Sequence, residues 1–257
     1  MSLLQLTNAG RRFGHITALQ NVDLNLQAGE VLALLGDNGA GKSTLIKLLT
    51  GVHTLTSGQM HFESEPVSLQ SPHDARILGI ETVYQDLALI PELSIARNFF
   101  LGREIIRKIG PFNFLDRETM NTQATEALHT IGIHIRDANE PVGSLSGGER
   151  QSIAIGRATH FGSRVLILDE PTSALSIGET RKVLSYISAA KNRGLGVIFI
   201  THNIHHVFEV ADRITILHRG EKLADFDISA VTPNEVAQMI MGEGVPSHLL
   251  SPTESSP

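Results

Sequence analysis

The chain has 257 residues, 41% hydrophobic and 19% charged, long enough to bury a sizeable core and too apolar to remain unfolded. Its 21 Lys and Arg are outweighed by 27 Asp and Glu, and this net charge of −6 argues against nucleic acid as a partner. The absence of Cys excludes disulfides and thiolate metal sites, and nowhere do about 18 apolar residues run together as a membrane-spanning helix requires.

The N-terminal residues have no basic lead and no long apolar core, so no signal peptide is expected, and any work at a membrane is peripheral. Three short apolar runs then punctuate the chain: Val31 to Leu35, Val165 to Leu168 and Val197 to Ile200. Their length favours buried parallel strands. Leu45, Ile46, Leu48 and Leu49 form a helical pattern stopped by Gly51. Ser71-Pro72-His73-Asp74 offers an N-cap with Pro in the first turn, and Gly79 a stop. Residues 88–160 read as a helical insertion, with Asp116 capping a helix that carries Met120, Ala124, Leu128 and Ile131, and another helix following Ser146. Ser176 to Glu179 is a capping box ahead of Val183, Leu184 and Ile187, with Gly194 closing the segment. Thr232 to Glu235 repeats the device before a last helix ending near Gly242. Strand, turn, helix and strand again predict an α/β domain over 1–244, and the Ser/Pro-rich stretch 245–257 reads as a flexible tail.

Between the first apolar run and the first helix lies Gly36-Asp37-Asn38-Gly39-Ala40-Gly41-Lys42-Ser43-Thr44, the G-x-x-x-x-G-K-S spacing of a P-loop. Glycines let backbone N–H groups converge on phosphate oxygens, and the helix adds the positive end of its dipole. Lys42 is expected to reach the β- and γ-phosphates, Ser43 to hold Mg²⁺, and Thr44 to bond a neighbouring phosphate. The bland alternative, a Gly-rich surface turn, fits the flanking strand and helix poorly.

Asp169 and Glu170 end the second apolar run, where a doubly wound sheet puts its ligands. Alone they read equally as a solvated turn; beside a P-loop, Asp169 can assist Mg²⁺ and Glu170 can polarise the water that attacks the γ-phosphorus. His202 follows the third run and is aimed at the same edge, able to bond the γ-phosphate and hold that water in line. His205 and His206, lacking carboxylate or Cys partners nearby, read as helix-surface residues rather than metal ligands. Gln85 in Val83-Tyr84-Gln85-Asp86 stands at the joint with the insertion, where an amide can touch the metal or the water.

Leu145-Ser146-Gly147-Gly148-Glu149-Arg150-Gln151 is a second anion-binding helix terminus: Ser146 and Glu149 form a capping box and the glycines bare the first turn. GDNGAGKST, VYQD, LSGGERQ, VLILDEPTSAL and THN together resemble the ordered motifs of ATP-binding cassette ATPases, over about residues 13 to 203. The resemblance implies a P-loop NTPase core with a mostly parallel sheet, an antiparallel N-terminal β-subdomain and an inserted α-helical subdomain. It implies ATP and Mg²⁺ as cofactors. It also implies a head-to-tail dimer in which Ser146, Gly147, Gly148 and Glu149 close over ATP held by the other chain's P-loop. Phe13 matches the aromatic that stacks on adenine, its alternative being a staple onto the first strand.

One departure stands out. The family usually has Asp after Pro171-Thr172-Ser173-Ala174-Leu175, and this chain has Ser176. Altered communication between sites and a harmless exchange of one helix cap for another both remain open. Residues 83–89 and 98–104 resemble cassettes of bacterial ribose, xylose and fructose importers. That likeness implies integral-membrane permease subunits, a second ATPase subunit, a periplasmic substrate-binding protein, and a peripheral location at the cytoplasmic face of the inner membrane. Another importer substrate, an exporter, and a soluble ATPase acting on a macromolecule are the alternatives.

Overall fold

The computed structural model describes residues 2–249. The chain opens with a long antiparallel pair, β1 (Ser2–Phe13) and β2 (Ile16–Gln27), followed by β3 (Val31–Leu35) and α1 (Lys42–Leu49). Next come β4 (Ser57–Phe62), β5 (Glu65–Val67), α2 (Pro72–Ile77) and β6 (Ile80–Val83). The insertion holds α3 (Ile95–Phe99), a hairpin of β7 (Ile106–Ile109) and β8 (Phe112–Leu115), α4 (Arg117–Thr130) and α5 (Gly147–His160). The core then resumes with β9 (Val165–Asp169), α6 (Ile177–Asn192), β10 (Gly196–Ile200) and α7 (Ile204–Val210), and ends with β11 (Arg213–His218), β12 (Glu221–Asp227) and α8 (Pro233–Ile240).

The central sheet runs β12-β11-β3-β10-β9-β6, parallel throughout except for the edge strand β12. All of β3 and β10 and all but the last residue of β9 are buried, which is why they read as continuous apolar runs rather than alternating ones. A second, antiparallel sheet of order β2-β1-β4-β5 forms the expected N-terminal β-subdomain. Between the two sheets, Leu4, Leu6, Leu24, Leu32, Leu34 and Ile198 form one core with α1, and the opposite face of the central sheet packs beneath the helices.

The helix ends follow the expected chemistry. Ser71, Ser146, Ser176 and Thr232 each accept a hydrogen bond from the N–H of the third residue of their helix, whose carboxylate accepts one from the backbone N–H of the cap residue. Asp116 caps α4, which buries Met120, Ala124 and Leu128. The insertion is not purely helical, however: β7 and β8 interrupt it as a two-stranded ribbon that joins neither sheet. Of the expected tail, Ser247–Leu249 forms a short 3-10 turn with Val245 and Leu249 against the core, and the rest lies outside the described residues.

Asn98 holds the insertion to the loop that follows β6. Fully buried, its amide accepts from Ile90 N–H at 2.7 Å and donates to the carbonyls of Ile90, Leu93 and Ser94 at 2.9, 3.1 and 3.2 Å. An Asn98→Leu variant strands those groups and is expected to lose about 2–4 kcal/mol of stability, measured by urea unfolding.

Candidate functional site

The carboxyl ends of four neighbouring parallel strands, β3, β10, β9 and β6, carry in turn the P-loop, His202, the Asp169-Glu170 pair and Gln85. Gly39, Ala40, Gly41, Lys42, Ser43, Thr44, Asn38, Gln85, Asp169, Glu170 and His202 all line one cavity of about 610 Å³. Sheet order alone therefore gathers residues up to 164 positions apart, as between Asn38 and His202.

The loop is shaped to leave its backbone bare. Gly41 precedes α1 with φ 106°, and no side chain caps that helix. A Cβ at Gly41 would lie 2.6 Å from Leu19 Cδ2 and 3.1 Å from the Ala18 carbonyl, so only glycine lets the helix start beside β2. Lys42 folds back on its own loop, donating to the carbonyls of Gly36 at 2.6 Å and Asp37 at 3.0 Å. Burial lowers its pKa, opposed by the charges of Glu170, Asp37 and Asp169. An anion in this loop would add to those charges and further favour the protonated lysine.

Burial raises the pKa of Asp169, against the charges of Lys42 and His202. It likewise raises Glu170, where His202 opposes the shift. Glu170 adopts φ 50°, rare for a side-chain-bearing residue, held by its N–H to the Ile200 carbonyl at 2.9 Å and by Ser173 N–H to its own carbonyl at 3.1 Å. His202 Nε2 lies 3.3 Å from Glu170 Oε1, yet that buried oxygen has no hydrogen bond of proper geometry. A buried, unpartnered carboxylate oxygen at the wall of a cavity is a group lacking a donor, such as water. Ser43, Gln85 and Asp169 line the same cavity and carry a hydroxyl, an amide and a carboxylate, hard oxygen donors of the kind that suits Mg²⁺.

The remaining expected residues lie elsewhere. Ser146, Gly148 and Glu149 line a separate cavity of about 780 Å³ at the start of α5. Ser146 Oγ accepts from Glu149 N–H at 3.2 Å and the Glu149 carboxylate from Ser146 N–H at 2.8 Å, so the cap has the predicted form. Gly147 opens the same helix as its first residue. Phe13 is not in the wall of the first cavity: it ends β1 under the Arg11 guanidinium at 4.7 Å and meets His53 edge-on at 5.1 Å. Ile16, its partner across the hairpin, lines the cavity instead, with Thr17, Ala18, Arg219 and Gly220.

Two contacts have no counterpart in the sequence reading. Glu179 caps α6 through Ser176, and its other oxygen also accepts from Gly148 N–H at 3.1 Å. This bond places a carboxylate on the first turn of α5, at the buried Gly148, and links it to the loop in which Ser176 stands. The backbone and hydroxyl of Ser176, then Gly148 and Ser146, hold the Glu179 carboxyl at about 2. A depressed carboxyl contributes stability that is complete above its unfolded value of about 4.3 and is lost as pH falls toward the folded one. The melting temperature of the chain should therefore fall between those pH values, and Glu179→Gln should lack that part of the fall. His206 corrects its expected surface role: it is half-buried, with Nδ1 3.1 Å from Thr172 Oγ1 and Nε2 3.1 Å from Asn203 Nδ2, and so ties the loop after β9 to α7.

Residues 19–173 match the family model described as ABC transporter. The Xylose/arabinose import ATP-binding protein XylG of Sulfolobus acidocaldarius is 49% identical over 85% of this chain and 86% of its own length. The Fructose import ATP-binding protein FrcA of Rhizobium meliloti is 47% identical over 92% of both. The Ribose import ATP-binding protein RbsA of Caldanaerobacter subterraneus subsp. tengcongensis is 37% identical, and the chain spans 49% of its length. Among solved structures, the ADP conformation of the cassette MJ1267 superposes with TM-score 0.79 at 23% identity, over 94% of this chain and 95% of that one. The dimeric cassette MJ0796 gives 0.71 at 26% identity, over 88% and 98%.

Proposed function

Because the chain belongs to the ABC transporter family, whose model covers residues 19–173, we propose that it is the ATP-hydrolysing subunit of a monosaccharide importer and works as a dimer. The observation that carries this reading is the separation of two phosphate-binding helix ends into two cavities of one chain. Facing a second copy head to tail brings each P-loop to the other chain's Ser146–Glu149 turn and completes two nucleotide sites. The sugar assignment rests on the 47–49% identical relatives named as xylose/arabinose and fructose import proteins.

In the proposed site, Lys42 leaves the Gly36 and Asp37 carbonyls for the β- and γ-phosphates, and the N–H groups of Gly39 and of Gly41 to Thr44 surround them, that of Ala40 being held by the Asp37 carbonyl. Ser43, Asp169 and Gln85 would hold Mg²⁺, which neutralises phosphate charge when bound. Glu170 accepts a proton from the attacking water at its unpartnered oxygen, and His202, 3.3 Å away, holds that water in line. Ile16 supplies apolar surface to the base from the cavity wall, with Phe13 beside it at the end of the hairpin.

A groove of about 300 Å³ beyond Gln85 suits a cytoplasmic helix of the permease. Leu87, Phe99 and Phe161 give it an apolar lining, and Glu81 and Arg103 pair across it at 2.5 Å. Arg157 of α5 reaches the Ala88 and Leu87 carbonyls at 3.4 and 3.5 Å, so motion of this wall moves the helix that grips the partner's nucleotide. Among the described residues no helix is long and apolar enough to cross a membrane, which fits a peripheral subunit at the cytoplasmic face. Reconstituted with its permease and substrate-binding protein, the chain is expected to hydrolyse ATP faster when a monosaccharide is supplied. Stimulation by a non-sugar solute alone would overturn the sugar assignment.

A further inference from the structure

The β7–β8 hairpin breaks the rule that an exposed ribbon shows polar faces. All eight of its strand residues are exposed, yet five are large and apolar: Ile106, Ile109, Phe112, Phe114 and Leu115, with Phe112 65% exposed. Pairing of Ile109 with Phe112 and of Arg107 with Phe114 puts three of these on one face beside Arg107. Pairing of Ile106 with Leu115 and of Lys108 with Asn113 puts the other two beside Lys108. A free two-stranded ribbon is marginal in water, and an exposed apolar patch of this kind marks a surface that something covers.

Charge identifies the cover. Residues 105–115 carry Arg107 and Lys108 and no acidic residue, within a chain of net charge −6. The nearest acids stand at the base and are engaged: Glu104 accepts from Gly102 N–H, and Asp116 caps α4. A two-fold contact with a second copy would set these cations against themselves. Aromatic and branched apolar side chains interleaved with Arg and Lys match the interface of an anionic bilayer, where rings enter the acyl boundary and cations meet lipid phosphate.

The attachment is firm and suitably placed. Asp116 N–H bonds the Ile105 carbonyl at 2.8 Å, Ile105 packs on the core, and Gly110-Pro111 closes the tip with Gly110 at φ 60°. The ribbon leaves the chain directly after Leu101 and Arg103, which line the groove assigned to the permease.

We propose that the β7–β8 hairpin is a membrane-docking element that inserts Phe112, Phe114 and Ile109 into an anionic lipid surface, with Arg107 and Lys108 on its phosphates. Its position beside the bilayer rests on the permease reading of the groove, but lipid binding by the purified chain does not, so the two can fail separately. In flotation assays the chain is expected to partition onto phosphatidylglycerol–phosphatidylcholine vesicles, more weakly at high salt, and not onto phosphatidylcholine alone. Arg107→Gln/Lys108→Gln should lower partition about thirtyfold, and Phe112→Ser/Phe114→Ser about tenfold or more. ATP turnover without vesicles should be unchanged in both variants, showing that they fold. Equal binding to neutral and anionic vesicles, no binding, or undiminished binding by both variants would overturn the proposal. So would self-association of the wild-type chain that the Phe112→Ser/Phe114→Ser variant abolishes.

Discussion

Glu170→Gln is expected to lower ATP turnover by about 10²–10⁴-fold, the usual contribution of a positioned general base. ATP affinity should stay nearly unchanged, because phosphate binding rests on the P-loop backbone and Lys42 rather than on this carboxylate. The buried Oε1 oxygen has no hydrogen-bond donor, and an amide keeps the shape of the side chain but cannot take the proton of water. Removing the negative charge also removes a repulsion toward the γ-phosphate, so the variant should accumulate as an ATP-bound dimer, visible by size-exclusion chromatography. Since burial lifts the Glu170 carboxyl above its ordinary range, turnover of the unaltered chain should fall on acidification at a pH above that of a free glutamate. A variant that hydrolyses ATP at the normal rate would remove Glu170 from the mechanism.

Gly148→Asp is expected to abolish turnover to a similar degree, by about 10²-fold or more, while each chain still binds ATP. Its basis is steric and electrostatic. A Cβ at Gly148 would fall 2.4 Å from Glu179 Cγ, so any side chain there must displace the Glu179 side chain that completes the Ser176 cap of α6. In the proposed dimer a carboxylate would also add a second negative charge, beside that of Glu179, where the partner's γ-phosphate would arrive. The P-loop cavity shares no wall residue with the cavity at Gly148, so ATP affinity is the control that should not move. Equilibrium binding of a fluorescent ATP analogue, beside steady-state hydrolysis, separates the two effects.

The parts of the fold and site that were legible in the sequence share one physical basis. Val31–Leu35, residues 165–168 and Gly196–Ile200 are buried on both faces, so their apolar runs stand out and the polar residues that follow them are marked as edge residues. Caps are local, which is why Ser71, Ser146, Ser176 and Thr232 could be read directly. The bond from Gly148 to Glu179 spans 31 positions and has no sequence signal. It also bears on the Ser176 departure: serine does cap α6, and its cap partner Glu179 reaches the turn of α5. The half-buried setting of His206 depends in the same way on Thr172, 34 positions away. Ile16, Arg219 and Gly220 join the cavity wall through strand pairing and loop packing that no motif records. The β7–β8 hairpin did leave a trace, Gly110-Pro111 between short apolar stretches, but it sits inside a segment whose helical patterns dominate.

If each working nucleotide site draws on two chains, mixing two dead variants tests this most directly. Lys42→Ala disables the P-loop and spares the Gly148 turn; Gly148→Asp does the reverse. Hydrolysis by each alone should be near background, whereas an equimolar mixture should regain activity, because every mixed dimer holds one site built from two intact halves. A mixture no more active than the average of its components would mean that two chains do not complete a site between them, which contradicts shared nucleotide sites.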